Sequence, residues 1–500
     1  MGRSRGGWAG LLRTGLAMLA TGCATAPPAA VAPRDGRVDI VFLHLNDVYE
    51  ITPVEGGRAG GLGRVATLRE RWAAQEPVLV TTFGGDLLSP SAMGTARVDG
   101  ERLAGAQMVA VMNAVGLDLA VLGNHEFDVP ETSFRARLAE SRFQWLAANV
   151  TDSLGRPFPG VRPWVVRTVG DAQGDTVRIA FVGAVLPDGA PDWVRVGPAR
   201  STLEAAAALL ADSADAVVAL THQTVAEDRA LLAAVPGIAL VLGGHDHHAM
   251  HVQVDGRSVV KADANAVTVA RVPFAVGRSG SRTGPVEHVP VTDAIPEQPT
   301  TAGVVGDWVE RAFAGFRVAG FEPERRVASV AEDLDGLEAS VRTGPTALTV
   351  LIGEAMRAQD PDADVALYNA GSIRFDDVLR AGPVTEYDVI RVLPYGGTTF
   401  SVRMRGDVLR RTLEQGERNR ATPAFLQGVG VARAGEGWTV GGAALAEDRW
   451  YRVVLPDFLL TGRERGLAFL RSGSEGLEVL EEHADIRRAV IAELERRPER

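Results

Sequence analysis

Five hundred residues are more than one ordinary hydrophobic core organises, so at least two domains are expected. With 46% hydrophobic and 23% charged residues, the composition is that of a globular protein and excludes a disordered chain. A net charge of −11 excludes an overall basic footprint for polymeric nucleic acid and leaves room for a local phosphate site.

The first element is an export signal. Arg3, Arg5 and Arg13 surround a short apolar stretch, Trp8 to Leu19, which runs into Ala20-Thr21-Gly22-Cys23. This segment resembles a bacterial lipoprotein lipobox with Cys23 as the lipidated residue, although Ala20 stands where Leu or Val is commoner; a plain signal peptide cut near Ala30 is the alternative. Both readings export the chain to the periplasm or cell envelope, and the first adds a lipid anchor in the membrane. The single cysteine permits no intramolecular disulfide. Residues 1–23 are thus a lipoprotein-type signal and 24–36, rich in Pro and Ala, a tether.

From residue 37 onward short β-like runs alternate with helical stretches. Strands are expected at Val38 to Leu43, Val78 to Phe83, Leu119 to Leu122, Arg178 to Val182, Ala216 to Leu220 and Ile238 to Leu242. Helices are expected at Gly63 to Ala74, Gly105 to Val115 and Ser201 to Asp212. This alternation predicts layered α/β structure around a buried sheet. The polar, Gly/Pro-rich stretch Gly277 to Thr301 reads as a domain boundary leading into a helix, Val304 to Phe316. The second half mixes helices (Thr346 to Ala358, Asp407 to Gln415, His483 to Glu495) with strands (Val365 to Tyr368, Phe400 to Met404, Trp450 to Leu455).

The chemistry gathers at strand ends. Asp47 follows the first strand, Gly84-Gly85-Asp86 the second and Gly123-Asn124-His125-Glu126-Phe127-Asp128 the third. Thr221-His222 and Gly243-Gly244-His245-Asp246-His247-His248 follow the last two. Loops beyond the carboxyl ends of parallel strands share a rim, so ligands distant in sequence can converge there. Mixed carboxylate, amide and imidazole donors suit Zn, Mn, Fe or Co. A lone histidine or Gly-Asp after a strand is ordinarily structural; five such ends out of six are not.

The blocks LHLND (43–47), GGD (84–86), LGNHEFD (122–128), THQ (221–223) and GGHDHH (243–248) resemble the calcineurin-like metallophosphoesterases, specifically the secreted bacterial 5′-nucleotidases. The resemblance implies a four-layer α/β/β/α metal domain (37–290), a linker with a connecting helix (291–324) and a separate α+β substrate-binding domain (325–495). It implies two divalent or mixed-valence metal ions that activate water, with Asp86 bridging them. Asp47 and His247 would hold the first ion, and Asn124, His222 and His245 the second. His125, held by Asp128, would act on the leaving group or stabilise the transition state. His44 reads as a strand residue and not as a replacement ligand.

Tyr49 departs from the resemblance, because that family commonly has histidine there. Three arrangements are open. Water replaces the imidazole in a weaker site, or a phenolate binds a strongly Lewis-acidic ion such as Fe(III), or Tyr49 packs away and leaves one tight and one loose metal. A neutral phenol with pKa near 10 is a poor ligand for a divalent ion.

In the second domain, Asn369-Ala370-Gly371-Ser372-Ile373-Arg374 resembles the family's substrate loop, and Arg342 takes the place of a second anion-binding arginine. A third arginine position is occupied by Glu338. Tyr395 and Phe458 correspond to aromatics that stack on the base, and Glu464 to an acidic contact in a rewritten Gly462-Arg463-Glu464-Arg465 segment. The expected function is a monomeric, exported hydrolase that removes phosphate from nucleotides. The alternatives are a broad phosphomonoesterase or a nucleotide-binding lipoprotein without turnover.

Overall fold

The computed structural model describes residues 36–497. The export segment, Cys23 and almost all of the tether lie outside the described residues. Among the described residues no helix is long and apolar enough to cross a membrane.

Two sheets face one another in the first half. At the centre of an eight-stranded sheet, Arg37–Leu45, Leu79–Phe83 and Leu119–Val121 run parallel, and Thr268–Gly277 pairs antiparallel with the first of them. The six-stranded sheet is built on the parallel strands Thr176–Val185, Ala216–His222, Leu240–Gly243 and Arg257–Lys261. The period-2 alternation of strand side chains assigns each residue to a layer. Val38, Ile40 and Phe42 point into the core between the sheets, with Ile179, Phe181, Val218 and Leu220 opposite. Leu43 and Leu45 point outward under Leu62–Ala73 and Ala106–Val115, while Ala180 and Val182 lie under Ala199–Leu210 and Val225–Ala234. Phe42 meets Phe181 edge-on at 5.9 Å between ring centroids, a favourable cross-sheet aromatic geometry. The result is the four-layer α/β/β/α arrangement.

The structure differs from the sequence reading in three places. The five strands that carry the expected ligands come from two sheets, three from one and two from the other, and not from a single buried sheet. Within Gly277 to Thr301, Gly280–Thr283 and Glu287–Pro290 both pair with Thr268–Gly277. These short strands expose most of their side chains, so their pairing leaves no hydrophobic period to read. His483 to Asp485 end a strand, Leu477–Asp485, and the helix begins only at Ile486, with the Asp485 carboxylate accepting from the Arg487 amide. That strand lies at a sheet edge with charged side chains outward, and pairing to Thr398–Arg405 overrides its helical composition.

The second domain is organised on a five-stranded sheet in which Val365–Asn369 and Trp450–Pro456 are parallel neighbours. The helix Pro299–Val318 joins the halves: it packs on the outer helices of the first domain, and Phe313 and Phe316 meet the Tyr387 ring of the second. Next to it Arg391 lies between Glu50 of the first domain and Asp377 of the second, 3.4 Å from each. These contacts dock the second domain three residues from Asp47.

Candidate metal centre and active site

Four of the six expected ligands leave their strands through a constrained turn. Asp47, Asp86, His245 and His247 have φ of 52°, 63°, 82° and 62°, in the left-handed region that costs non-glycine residues energy. Four such residues in one cluster mark a site where geometry is held by its surroundings. The Asp47 amide donates to the Gly85 carbonyl at 3.0 Å, linking the first two strand ends. Gly85 must be glycine, because a Cβ there would stand 2.5 Å from His222 Nδ1.

The donor atoms of Asp47, Asp86 and His222 lie within 4.8 Å of one another, all buried. Asp47 Oδ2 accepts from the Asn46 side chain and the His245 amide, both at 2.8 Å, and Oδ1 turns towards His247 Nε2 at 3.4 Å. Asp86 Oδ1 accepts from the His125 amide at 2.8 Å, and Oδ2 stands 3.1 Å from His222 Nε2. The fit to metal ions rests on atoms left over. Asn124 Oδ1 and His222 Nε2 are buried and make no hydrogen bond. His222 Nδ1 donates to the Gly84 carbonyl at 2.8 Å, which leaves its Nε2 lone pair facing the carboxylates. Burial disfavours an imidazolium at His222, yet Asp86 and Asp47 outweigh it and push the group up to about 9. The pocket thus attracts positive charge, and its oxygen and nitrogen donors suit divalent or trivalent ions.

Tyr49 faces this cluster. Its hydroxyl lies 3.0 Å from His247 Nε2, 3.3 Å from Asp47 Oδ1 and 3.4 Å from Asp86 Oδ2. Burial and then the charges of Asp47 and Asp86 raise it well above the ordinary phenol value. His44 is occupied elsewhere: Nδ1 meets Thr82 Oγ1 and Nε2 the Gly243 carbonyl, which ties the two sheets together. Beside the cluster, His125 Nδ1 lies 2.6 Å from Asp128 Oδ2. Burial pushes the His125 imidazole down, but Asp86 and Asp128 together raise it above its usual value.

The calcineurin-like phosphoesterase family matches residues 40–249, and the 5′-nucleotidase C-terminal domain matches residues 326–470. The chain belongs to the calcineurin-like phosphoesterases that carry a 5′-nucleotidase C-terminal domain. Protein UshA of Yersinia enterocolitica is 25% identical over 90% of both chains, and a 5′-nucleotidase of Vibrio cholerae is 24% identical over 88% of both. The crystal structure of a 5′-nucleotidase precursor from Thermus thermophilus superposes with a TM-score of 0.74 at 22% identity, covering 91% of this chain and 96% of that one. The phosphoesterase assignment makes the chain a phosphate-ester hydrolase, and the family implies divalent metal ions.

In this phosphoesterase the cluster opens into a cavity of about 390 Å³ walled by both domains. Tyr49, Asp86, Asn124, His125, His245 and His247 form one side; Arg342, Arg374, Glu338 and Asp376 form the other. Arg374 Nε is buried without a hydrogen-bond partner, whereas Arg342 pairs with Glu338. Asn369 is buried and shapes the loop, its Oδ1 accepting from Ser372 Oγ at 2.8 Å. Tyr395 and Phe458 are 43% and 42% exposed, which rules out a core role. The Tyr395 hydroxyl lies 3.5 Å from Ser89 Oγ, which lies 3.4 Å from Asp128 Oδ2. The Glu464 carboxylate accepts from the Arg465 amide in a local turn.

Sequence reasoning passed over two buried supports. Glu126, inside the quoted motif, accepts from the amides of Asp86 (3.0 Å), Leu87 (2.5 Å), Leu88 (3.1 Å) and Gly123, and so clamps two ligand loops. Lys261 does the same for the other sheet. It donates to the carbonyls of Gln223 (2.6 Å) and Gly244 (2.8 Å), next to His222 and His245, and pairs with Asp228 (2.9 Å) and Asp246 (2.5 Å). One signal was visible: Lys261 is the single lysine among 52 basic Lys and Arg residues. A compact ammonium meets four acceptors spread around a point, which a planar guanidinium does not. Lys261→Met leaves the buried Asp228 carboxylate and the half-buried Asp246 without their cation and is expected to destabilise the protein by about 3–5 kcal/mol. The readout is a lower thermal unfolding midpoint, and Lys261→Arg is expected not to restore it.

Proposed function

We propose that the chain is an exported 5′-nucleotidase-like hydrolase that holds two metal ions and removes phosphate from nucleotides. The observation that carries this reading is the placing of the unpaired Arg374 guanidinium across one cavity from the Asp47/Asp86/His222 cluster. A fixed guanidinium fork suits a phosphate, and a cavity of this size suits a small ligand. The exposed Tyr395 and Phe458 supply π faces for a base. The names of the similar proteins, 5′-nucleotidase among them, support the same substrate class. Export rests on the N-terminal segment ending at Cys23.

Asp47, Asp86 and His247 would hold one ion, with Tyr49 beside it, and Asp86, Asn124, His222 and His245 the other. Bound ions of this kind supply an activated water and neutralise charge in an in-line displacement. Arg374 binds the phosphoryl oxygens and fixes their direction. His125, oriented through Nδ1 by Asp128, presents Nε2 to the leaving oxygen and donates the proton it needs. That pair favours turnover over a binding lipoprotein, because binding alone has no use for it.

The test is phosphate release by the metal-stripped chain given Mn, Zn, Co or Fe, with AMP, UDP-glucose, 2′,3′-cyclic AMP and an aryl phosphate as substrates. Metal-restored turnover of a nucleotide is expected. A folded protein that binds nucleotide and turns over none of these would refute the proposal. In the same assay Tyr49→His is expected to shift the preferred ion towards zinc, since an imidazole replaces a poorly ligating phenol.

A further inference from the structure

We infer that Asp376, on the second domain, orients His247 for the first metal position, so that this position is complete only with the substrate domain docked. The inference rests on the two-metal reading above.

His247 spans the domain boundary. Its Nδ1 lies 2.5 Å from Asp376 Oδ2, while its Nε2 faces Asp47 Oδ1 at 3.4 Å and the Tyr49 hydroxyl at 3.0 Å. An imidazole that donates Nδ1–H to a carboxylate keeps its Nε2 lone pair on the opposite side, which is the metal side here. Carboxylates in this relation fix the tautomer and ring orientation of a ligating histidine and raise its basicity. The other Asp376 oxygen, Oδ1, accepts from the Glu338 amide at 2.9 Å, so the carboxylate cannot swing away. Asp376 also has φ of 39°, an uncommon conformation for a side-chain-bearing residue, held by its surroundings.

Two further facts give the contact weight. Tyr49 occupies the place where the family resemblance expects a second imidazole, so His247 is the single imidazole on this side of Asp86. Asp376 lies two residues after Arg374, so the loop that offers a guanidinium to the phosphate also sets the ligand. The donor atoms of His247, Glu338 and Asp376 come within 4.8 Å of one another and could themselves hold an ion. Against that, both Asp376 oxygens and His247 Nδ1 are engaged in hydrogen bonds, and Glu338 Oε1 pairs with Arg342. An orienting role uses every one of these contacts as it stands.

The experiment is calorimetric titration of the metal-free full chain with Mn(II), for wild type, Asp376→Asn and Asp376→Glu. Two binding events are expected for wild type. Asp376→Asn is expected to weaken one of them by about 10–100-fold and to leave the other within about twofold, which also reports an intact fold. Asp376→Glu, which keeps the charge, is expected to recover much of the loss. Unchanged affinities in Asp376→Asn would overturn the inference and leave the functional reading standing. Equal weakening of both events in both variants would overturn it too, by showing a general packing role. A wild-type protein that binds no metal would sink the functional reading and this inference together.

Discussion

Replacing His125 by alanine is expected to lower kcat by about 10²–10⁴-fold while the protein keeps its metal content, the range for losing a positioned general acid. The residue stands beside the expected ligand Asn124, but its ring does not join the cluster. Nδ1 is engaged by Asp128 at 2.6 Å, and the side chain lines the cavity that Arg374 closes from the other domain. Its hydrogen bond to the metal cluster is made by the main chain, where its amide donates to Asp86 Oδ1. Alanine keeps that amide. The ligand geometry therefore survives while the proton donor is lost. Elemental analysis beside steady-state kinetics separates the two effects. A fall in metal content that tracked the fall in kcat would assign His125 to the metal site and not to the leaving group.

The opposite pattern is expected for Asp86→Asn. Asparagine has the same shape, tolerates the left-handed backbone at φ 63° and can still accept from the His125 amide. What it removes is the central negative charge. Asp86 is the residue whose two oxygens face opposite neighbours, the His125 amide on one side and His222 Nε2 and the Tyr49 hydroxyl on the other. The substitution is expected to release bound metal and to lower kcat/KM by about 10³-fold or more, since several kcal/mol of charge stabilisation disappear. Metal content is the deciding readout. Retention of both ions in Asp86→Asn would remove Asp86 from the bridging position.

Much of the site was legible because its residues sit at the ends of apolar runs. A short apolar, β-branched run such as Ile40 to Leu43 reads as a buried strand, and a charged residue just beyond it then lies at a sheet end. Asp47, Asp86, Asn124, His222, His245 and His247 all obey this local rule, and their loops do meet. Arg374 was legible through its loop, and Tyr49 through its departure from the expected histidine. The sequence could not say which way Tyr49 points. That is set in the folded chain, where its hydroxyl faces His247 Nε2 and the Asp47 and Asp86 carboxylates.

Contacts set by folding were out of reach. Asp376 and His247 are 129 positions apart and belong to different domains. Nothing local in Phe375-Asp376-Asp377 separates the carboxylate on His247 from its neighbour, which pairs with Arg391. Lys261 ends a strand of the second sheet and reaches two loops whose carbonyls carry no sequence signature. The edge strands Gly280–Thr283 and Leu477–Asp485 form because a neighbour offers backbone partners, not because their side chains alternate. The sequence by itself determined which residues reach the strand ends and what donors they bring, because hydrophobic period and turn chemistry are properties of a few adjacent residues. Tertiary structure alone decided how those donors are aimed and supported, because that depends on hydrogen bonds between segments that meet only after both sheets and both domains have packed.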